Sequence, residues 1–239
     1  DELTHSHDAL VKLQAELVAT DRLATVGKLA SGVAHEVGNP LSGILGYLSV
    51  MRMRQAGNAE LIDLVTRIEH EVQRIDQIVR SLLELGRPSR GKAQAVDVRP
   101  IVDSCVKLLG ASREFQNVKV EVEGPGSLYV RAEAGPLSQV LVNLLINAAQ
   151  AMAGRGRVVV RAEAHEGEGR LVVEDEGPGL PDEVKARLFE PFFTTKAAGQ
   201  GTGLGLAVSR HLLSQFEGRL DAGDRPGGGA RFTIALRVP

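Results

Sequence analysis

Among the 239 residues, the stretch Ala34-His35-Glu36-Val37-Gly38-Asn39-Pro40 has the residue types for nucleophilic chemistry. Apolar residues at Ala30, Val33 and Val37 set a helical core phase. At about 100° per residue, His35 lies roughly 200° from Val33 and from Val37 and so faces away from that core. An imidazole with a pKa near 6.5 is mostly neutral at near-neutral pH, which leaves one ring nitrogen free as a nucleophile. Glu36 can accept the proton from the other nitrogen, and Asn39, one turn on, offers a neutral donor and acceptor on the same face. Pro40 removes a backbone donor and loosens the helix beside the histidine. The remaining histidines, His5, His7, His70, His165 and His211, lack such company and read as surface or satisfied residues.

A nucleophile needs an electrophile, and the second half of the chain holds residues suited to a phosphate-bearing ligand. Asn143 and Asn147 stand four apart on one helix face, where two carboxamide oxygens could hold a magnesium ion and its phosphates, or equally cap and cross-link structure. Asp175 ends an apolar run and is followed by Glu176-Gly177-Pro178-Gly179; it could accept a bond from an exocyclic amino group, or cap its own turn. Gly199-Gln200-Gly201-Thr202-Gly203-Leu204-Gly205-Leu206 opens a helix starting near Leu204, where amide hydrogens and the helix dipole favour anions. No Lys-Ser or Lys-Thr follows, so this is not a Walker loop, and no βαβ frame precedes it. Phe189-Glu190-Pro191-Phe192-Phe193-Thr194-Thr195-Lys196 gathers three of the six phenylalanines between two glycine stretches, as in a hinged lid with apolar anchors and a lysine for phosphate, or in a loop plugging a core.

The elements that position these groups follow from periodicity. Apolar residues recur from Leu10 to Leu17 and from Leu23 to Met51 at helical spacing, and after a turn at Gln55 to Asn58 a second series runs Leu61, Val65, Ile68, Val72, Ile75, Val79 and Leu82 in four-three alternation. Two long helices with one apolar stripe each predict a hairpin, either dimerising into a four-helix bundle or packed on the second domain. Gly86 to Ala95 is aperiodic and rich in Gly, Pro and charge, hence a linker. Beyond it the patterns predict a helix over Val98 to Leu109, a strand pair near Val118 to Glu123 and Ser127 to Arg131, and a helix over Leu137 to Met152. A hairpin of Arg157 to Ala162 with Arg170 to Glu174, a helix from Leu204 to Phe216, and closing strands near Arg219 to Ala222 and Ala230 to Val238 complete the series. The fold class expected is α + α/β, a helical hairpin followed by an α/β sandwich whose mixed sheet carries helices on one face. The expected division is an N-terminal coiled-coil-like helix at 1–22, the hairpin at 23–85, a linker at 86–96 and the second domain at 97–239.

Lys plus Arg (28) nearly balance Asp plus Glu (30), so no single-sign field favours nucleic acid or an anionic membrane. With one cysteine, Cys105, an internal disulfide and a Cys-based metal cluster are excluded, which fits a reducing cytosolic compartment. Charges interrupt every apolar stretch before the roughly 18 residues needed to span a bilayer, so no membrane contact is expected from these residues. The chain does not begin with Met and starts on an amphipathic pattern, which suggests a fragment whose upstream sensor region, and any membrane anchor, lie outside it.

Taken in order, these motifs resemble those of bacterial two-component sensor histidine kinases of the nitrogen-regulation type, from about Leu23 onward. His35 to Leu41 resembles the H box, Asn143 to Asn147 the N box, Asp175 to Gly179 the first glycine box, Phe189 to Lys196 the F box, Gly201 to Leu206 the second glycine box and Gly227-Gly228-Gly229 the last. The resemblance implies a dimerisation and phosphotransfer hairpin followed by a Bergerat-type domain that binds ATP with magnesium. It implies His35 as phosphoacceptor, Glu36 as proton acceptor and Asn39 as the polar residue that positions phosphate or hydrolytic water, the last allowing a phosphatase activity besides the kinase. It further implies Asn147 as the magnesium ligand, Asn143 as a phosphate-side contact, and Asp175 as the adenine-reading acid. Gly177, Gly179, Gly201, Gly203 and Gly205 would shape the pocket and lid, with Thr195, Lys196, Thr202 and Leu204 along them. The implied partners are a second copy of the chain and a response-regulator receiver domain. Gln150 stands where many members carry a basic residue, which shifts phosphate charge toward Lys196; Glu133 replaces a usual aspartate and Ala230 a frequent threonine. The rival reading is a dimeric ATP-binding scaffold without phosphoryl transfer.

Overall fold

The computed structural model describes residues 37, 40–54, 58–85, 92–196 and 201–239. By contacts the chain divides into two compact units, Asp1–Pro88 and Ser89–Pro239. The expected motif residues His35, Glu36 and Asn39 lie outside the described residues, as do the N-terminal helix at 1–22 and most of the linker at 86–96.

The first unit contains helical residues 40–54 (α1) and helix Ala59–Leu85 (α2). Asn58 starts α2: its side-chain oxygen accepts from Leu61 N at 3.1 Å and its carbonyl from Ile62 N at 3.0 Å, satisfying two of the donors a helix start leaves bare. Leu41 and Leu48 of α1 and Val65 and Val72 of α2 are buried, and Arg52 crosses between the helices to Thr66 and Glu69. The heptad series of α2 therefore splits. Val65 and Val72 are buried, whereas Ile68 (47% exposed) and Ile75 (43%) remain in solvent beside Leu64. Among the described residues, no helix is long and apolar enough to cross a membrane.

The second unit runs β1 (Gln94–Asp97), α3 (Val98–Gly110), a short 3-10 turn at Arg113–Phe115, β2 (Asn117–Glu123), β3 (Tyr129–Ala132), α4 (Ala134–Ala151), β4 (Arg155–His165), β5 (Glu168–Asp175), α5 (Asp182–Arg187), α6 (Gly205–Ser214), β6 (Arg219–Asp224) and β7 (Ala230–Arg237). Five strands form a mixed sheet in the order β2-β4-β5-β7-β6, parallel only between β2 and β4, and β1 pairs with β3 as a separate ribbon. The β4–β5 hairpin turns on Glu166 and Gly167, both at positive φ (50° and 81°), the conformation a two-residue hairpin needs to match strand twist. On one sheet face Val158, Val160, Leu171, Val173, Phe232 and Ile234 are buried under α3, α4 and α6; Leu137, Leu141 and Leu144 of α4, Leu213 of α6 and Leu204 just before it complete the core. The opposite face is laced with Arg and Glu side chains.

Two expectations are corrected. Val118 to Glu123 and Ser127 to Arg131 do not pair with each other: β2 joins β4, and β3 joins β1. The cause is local. Gly124 adopts φ +116° with no room for a side chain against the Ala162 carbonyl (2.1 Å), turning the chain off the sheet, and Asp97 then captures it by accepting from Leu128 N and Arg99 N, each at 3.1 Å. The second correction follows from the first, because β1 starts at Gln94, inside the segment read as linker. Helix α5 was not anticipated, although Pro181-Asp182-Glu183 is a helix-start pattern.

Candidate functional site

Helix α4 brings its two asparagines to bear on different neighbours. Asn143 donates from Nδ2 to Ser209 Oγ of α6 at 2.9 Å, and its side chain occupies the space where a side chain on Gly205 would begin (2.5 Å from Oδ1). A glycine is thus required at the start of α6 so that α4 and α6 can close on Asn143. Asn147, one turn further, accepts from Lys196 Nζ at 3.2 Å, and the same ammonium bonds Gln150 Oε1. Burial pushes the Lys196 ammonium below the ordinary lysine range, since desolvation disfavours its charge. A cation therefore already rests on the Asn147 oxygen. That oxygen, a hard neutral donor, suits a magnesium ion, and no group of three His, Cys, Asp or Glu that could hold a metal exists among the described residues.

Asp175 ends β5 with its carboxylate on the helix-covered side, 2% exposed. Oδ1 accepts two backbone bonds, from Gly177 N at 2.8 Å and from Ala230 N at 3.2 Å. The turn-capping reading is thus correct as far as it goes, and it uses one oxygen only. Gly179 (φ +80°) backs onto Gly229, and Glu176 N approaches Met152 Sδ at 3.4 Å, which ties this turn to the end of α4.

The F-box-like segment and the glycine run fold against each other. Phe192 N donates to Gly203 O at 2.9 Å, and Gly203 (φ +65°) could carry no side chain because Phe192 carbonyl carbon lies 2.4 Å from where it would start. Gly201 packs on Thr194 and on the Lys196 stem, and Thr202 Oγ1 accepts from Leu204 N at 3.4 Å. Phe193 and Phe189 anchor the segment under Arg187 (4.5 Å) and Arg210 (5.2 Å), while Phe192 and Thr195 are exposed.

Asn143, Asn147, Gln150, Lys196, Gly201, Gly203 and Gly205 are thus linked through α4, α6 and the segment before it, and Asp175, Gly177 and Gly179 form a second cluster joined to α4 by Met152. Sequence reasoning missed Ser209, whose one signal was its place a turn after Gly205, and Arg225, which carries no motif of its own. The arrangement offers a buried acceptor for a base, amide and glycine surfaces for phosphates, and a lysine on Asn147 and Gln150.

Comparison with known proteins agrees with this chemistry. Residues 132–239 match the family described as histidine kinase-, DNA gyrase B- and HSP90-like ATPase, and residues 25–91 match the His Kinase A (phospho-acceptor) domain. The chain is 34% identical over 229 residues to the signal transduction histidine-protein kinase AtoS of Escherichia coli (strain K12), covering 94% of this chain and 37% of AtoS. It spans less than half the length of such curated relatives. Among solved structures it resembles full-length ShkA in complex with AMPPNP (TM-score 0.72, 26% identity, 89% of this chain, 46% of that one). It also resembles the histidine kinase ThkA in complex with the response regulator TrrA (TM-score 0.65, 26% identity, 97% and 67%). With a phosphoacceptor domain followed by an ATPase-like domain and these relatives, the chain belongs to the sensor histidine kinases.

Proposed function

We propose that this chain is a kinase core that binds ATP with magnesium, phosphorylates its own His35 and passes the phosphoryl group to an aspartate of a response-regulator receiver domain, working as a homodimer in the cytosol. The observation that carries this reading is the Asp175 carboxylate, fixed on one oxygen by Gly177 N and Ala230 N, on the same domain as Asn147 and Lys196, in a chain whose other domain matches the phosphoacceptor family. The second Asp175 oxygen accepts from the exocyclic amine of adenine. Asn143 and Lys196 meet phosphate oxygens, and the amides of Gly201, Gly203 and Gly205 at the start of α6 favour their charge. Magnesium on Asn147 would spread charge over the β- and γ-phosphates.

In the chemical step a neutral His35 nitrogen forms a bond to the γ-phosphorus, the bond from that phosphorus to the bridging oxygen breaks, and ADP leaves with the electron pair. Glu36 takes the proton from the other ring nitrogen. The resulting phosphoramidate transfers its phosphoryl group to the receiver carboxylate, and the proton returns from Glu36 to the imidazole. Asn39 orients phosphate or, in a phosphatase reaction, water. ThkA, a structural neighbour, has been captured with a response regulator, which supports the receiver as recipient. Ile68 and Ile75, exposed in one hairpin, support a second copy as the partner of α2. Incubation with γ-labelled ATP and magnesium should give acid-labile, alkali-stable label that disappears in His35→Ala. No label in the unaltered chain would favour the ATP-binding scaffold instead.

A further inference from the structure

Strand β5 and the turn after it carry three consecutive carboxylates, Glu174, Asp175 and Glu176. Strand alternation sends them to two sides. Asp175 shares the helix-covered face with Leu171 and Val173, whereas Glu174 and Glu176 meet arginines. Glu174 is bonded by Arg231 at 2.6 Å with Arg161 at 3.8 Å. Glu176 is held by Arg157 at 3.0 Å and Arg225 at 3.5 Å, and Arg157 continues to Glu121 of β2 at 3.4 Å. The hydrogen bond from Arg157, with the charge of Arg225 added, keeps the Glu176 carboxyl below the usual carboxylate range.

Arg225 differs from the other three arginines in what else it holds. Its guanidinium, on a side chain only 18% exposed, also donates from Nη1 to the Asp175 carbonyl oxygen at 3.4 Å. Its backbone closes the β6–β7 turn: Arg225 N donates to Gly229 O and Gly228 N donates to Arg225 O, both at 3.1 Å. That turn delivers Ala230 N to Asp175 Oδ1 and lays Gly229 so near Asp175 that a side chain there would start 1.9 Å from the Asp175 carbonyl oxygen. One residue thus grips the peptide that carries Asp175 and belongs to the turn that supplies half of the bonds fixing its carboxylate.

We propose that Arg225 is a positioning residue for nucleobase discrimination: by locking the β6–β7 turn onto the Asp175–Glu176 peptide, it sets the carboxylate orientation that distinguishes an amino-purine from an oxo-purine. The inference rests on the reading of Asp175 as acceptor for the exocyclic amine. Arg225 itself touches no nucleotide; it acts through Asp175.

The test is equilibrium binding of ADP and of IDP to the full chain by calorimetry, because IDP carries an oxygen where ADP carries the amine and a carboxylate cannot bond it. The unaltered chain should bind ADP about 10 to 100 times more tightly than IDP, the range for a lost charge-assisted hydrogen bond. In Arg225→Ala the ADP affinity should fall about 5- to 10-fold with IDP affinity unchanged, so the ratio shrinks by that same factor while the thermal midpoint reports a folded chain. A ratio retained in Arg225→Ala, or equal loss for both nucleotides, overturns the proposal. If Arg225→Ala does not fold, Arg225→Gln carries the same test, since it keeps much of the stem but not the ion pair with Glu176, and an unchanged ratio there overturns the proposal equally. An unaltered chain that binds ADP and IDP alike would instead overturn the Asp175 reading beneath it.

Discussion

At the scale of single residues, much of the nucleotide side is made by side chains that are absent. Gly229 (φ +101°) lies against the Asp175 carbonyl, Gly203 against Phe192 and Gly205 against the Asn143 carboxamide. Gly229→Ala combines a backbone conformation that L residues rarely adopt with a backbone clash, so it should lower stability by about 2 kcal/mol or more in urea unfolding. Gly223→Ala, in β6 with nothing within 4 Å of the added carbon, should stay within about 0.5 kcal/mol of the unaltered chain. The glycine runs were visible in the sequence as runs. Which glycine is obligatory depends on the partner brought against it from elsewhere in the chain, and Asp175 and Gly229 stand 54 positions apart.

At the scale of elements, α4 and α6 form the frame, and their helical periods are legible in the sequence. Helix α6 also carries His211, half-buried beside Gln215, whose side-chain nitrogen lies 3.2 Å from Nε2. Burial lowers the His211 pKa from its ordinary 6.5, because the charged form is desolvated. Between the lowered folded value and 6.5 the unfolded chain binds more protons, so stability rises with pH across that window and falls as pH drops through it. His211→Gln should flatten this dependence, measured as the urea midpoint at a series of values from about pH 5 to 8; an unchanged slope would exclude His211 as its source. The strand pairings were less readable. Asn117–Glu123 shows a strand period but nothing in it says that the neighbour is β4 rather than β3, since a parallel partner lies across α4 and the choice is made by Asp97 and Gly124.

At the scale of the whole molecule, the hairpin leaves an account open. Val65 and Val72 are buried, while Ile68, Ile75 and Leu64 of α2 and Ile44 and Met51 of α1 stay at least 40% exposed. Fully burying an isoleucine is worth about 1.5–3 kcal/mol, so two helices presenting such a stripe gain from a second copy. The double substitution Ile68→Lys with Ile75→Glu should therefore move the chain from dimer to monomer in sedimentation velocity while leaving the ATPase-like domain's unfolding transition in place. A dimer that persists would locate the interface elsewhere.

By itself the sequence determined the two-part order and the long helix α2, because periodicity is a local property. It singled out His35, Glu36 and Asn39 by helix phase and company, and Asp175, Asn147 and Lys196 by type and context. Tertiary structure alone decided that Lys196 rests on Asn147 and Gln150, that Ser209 meets Asn143, and that Arg225 grips the Asp175 peptide. Each of these contacts joins residues 46 or more positions apart. Such pairs are set by strand order and helix packing, and no local pattern encodes them.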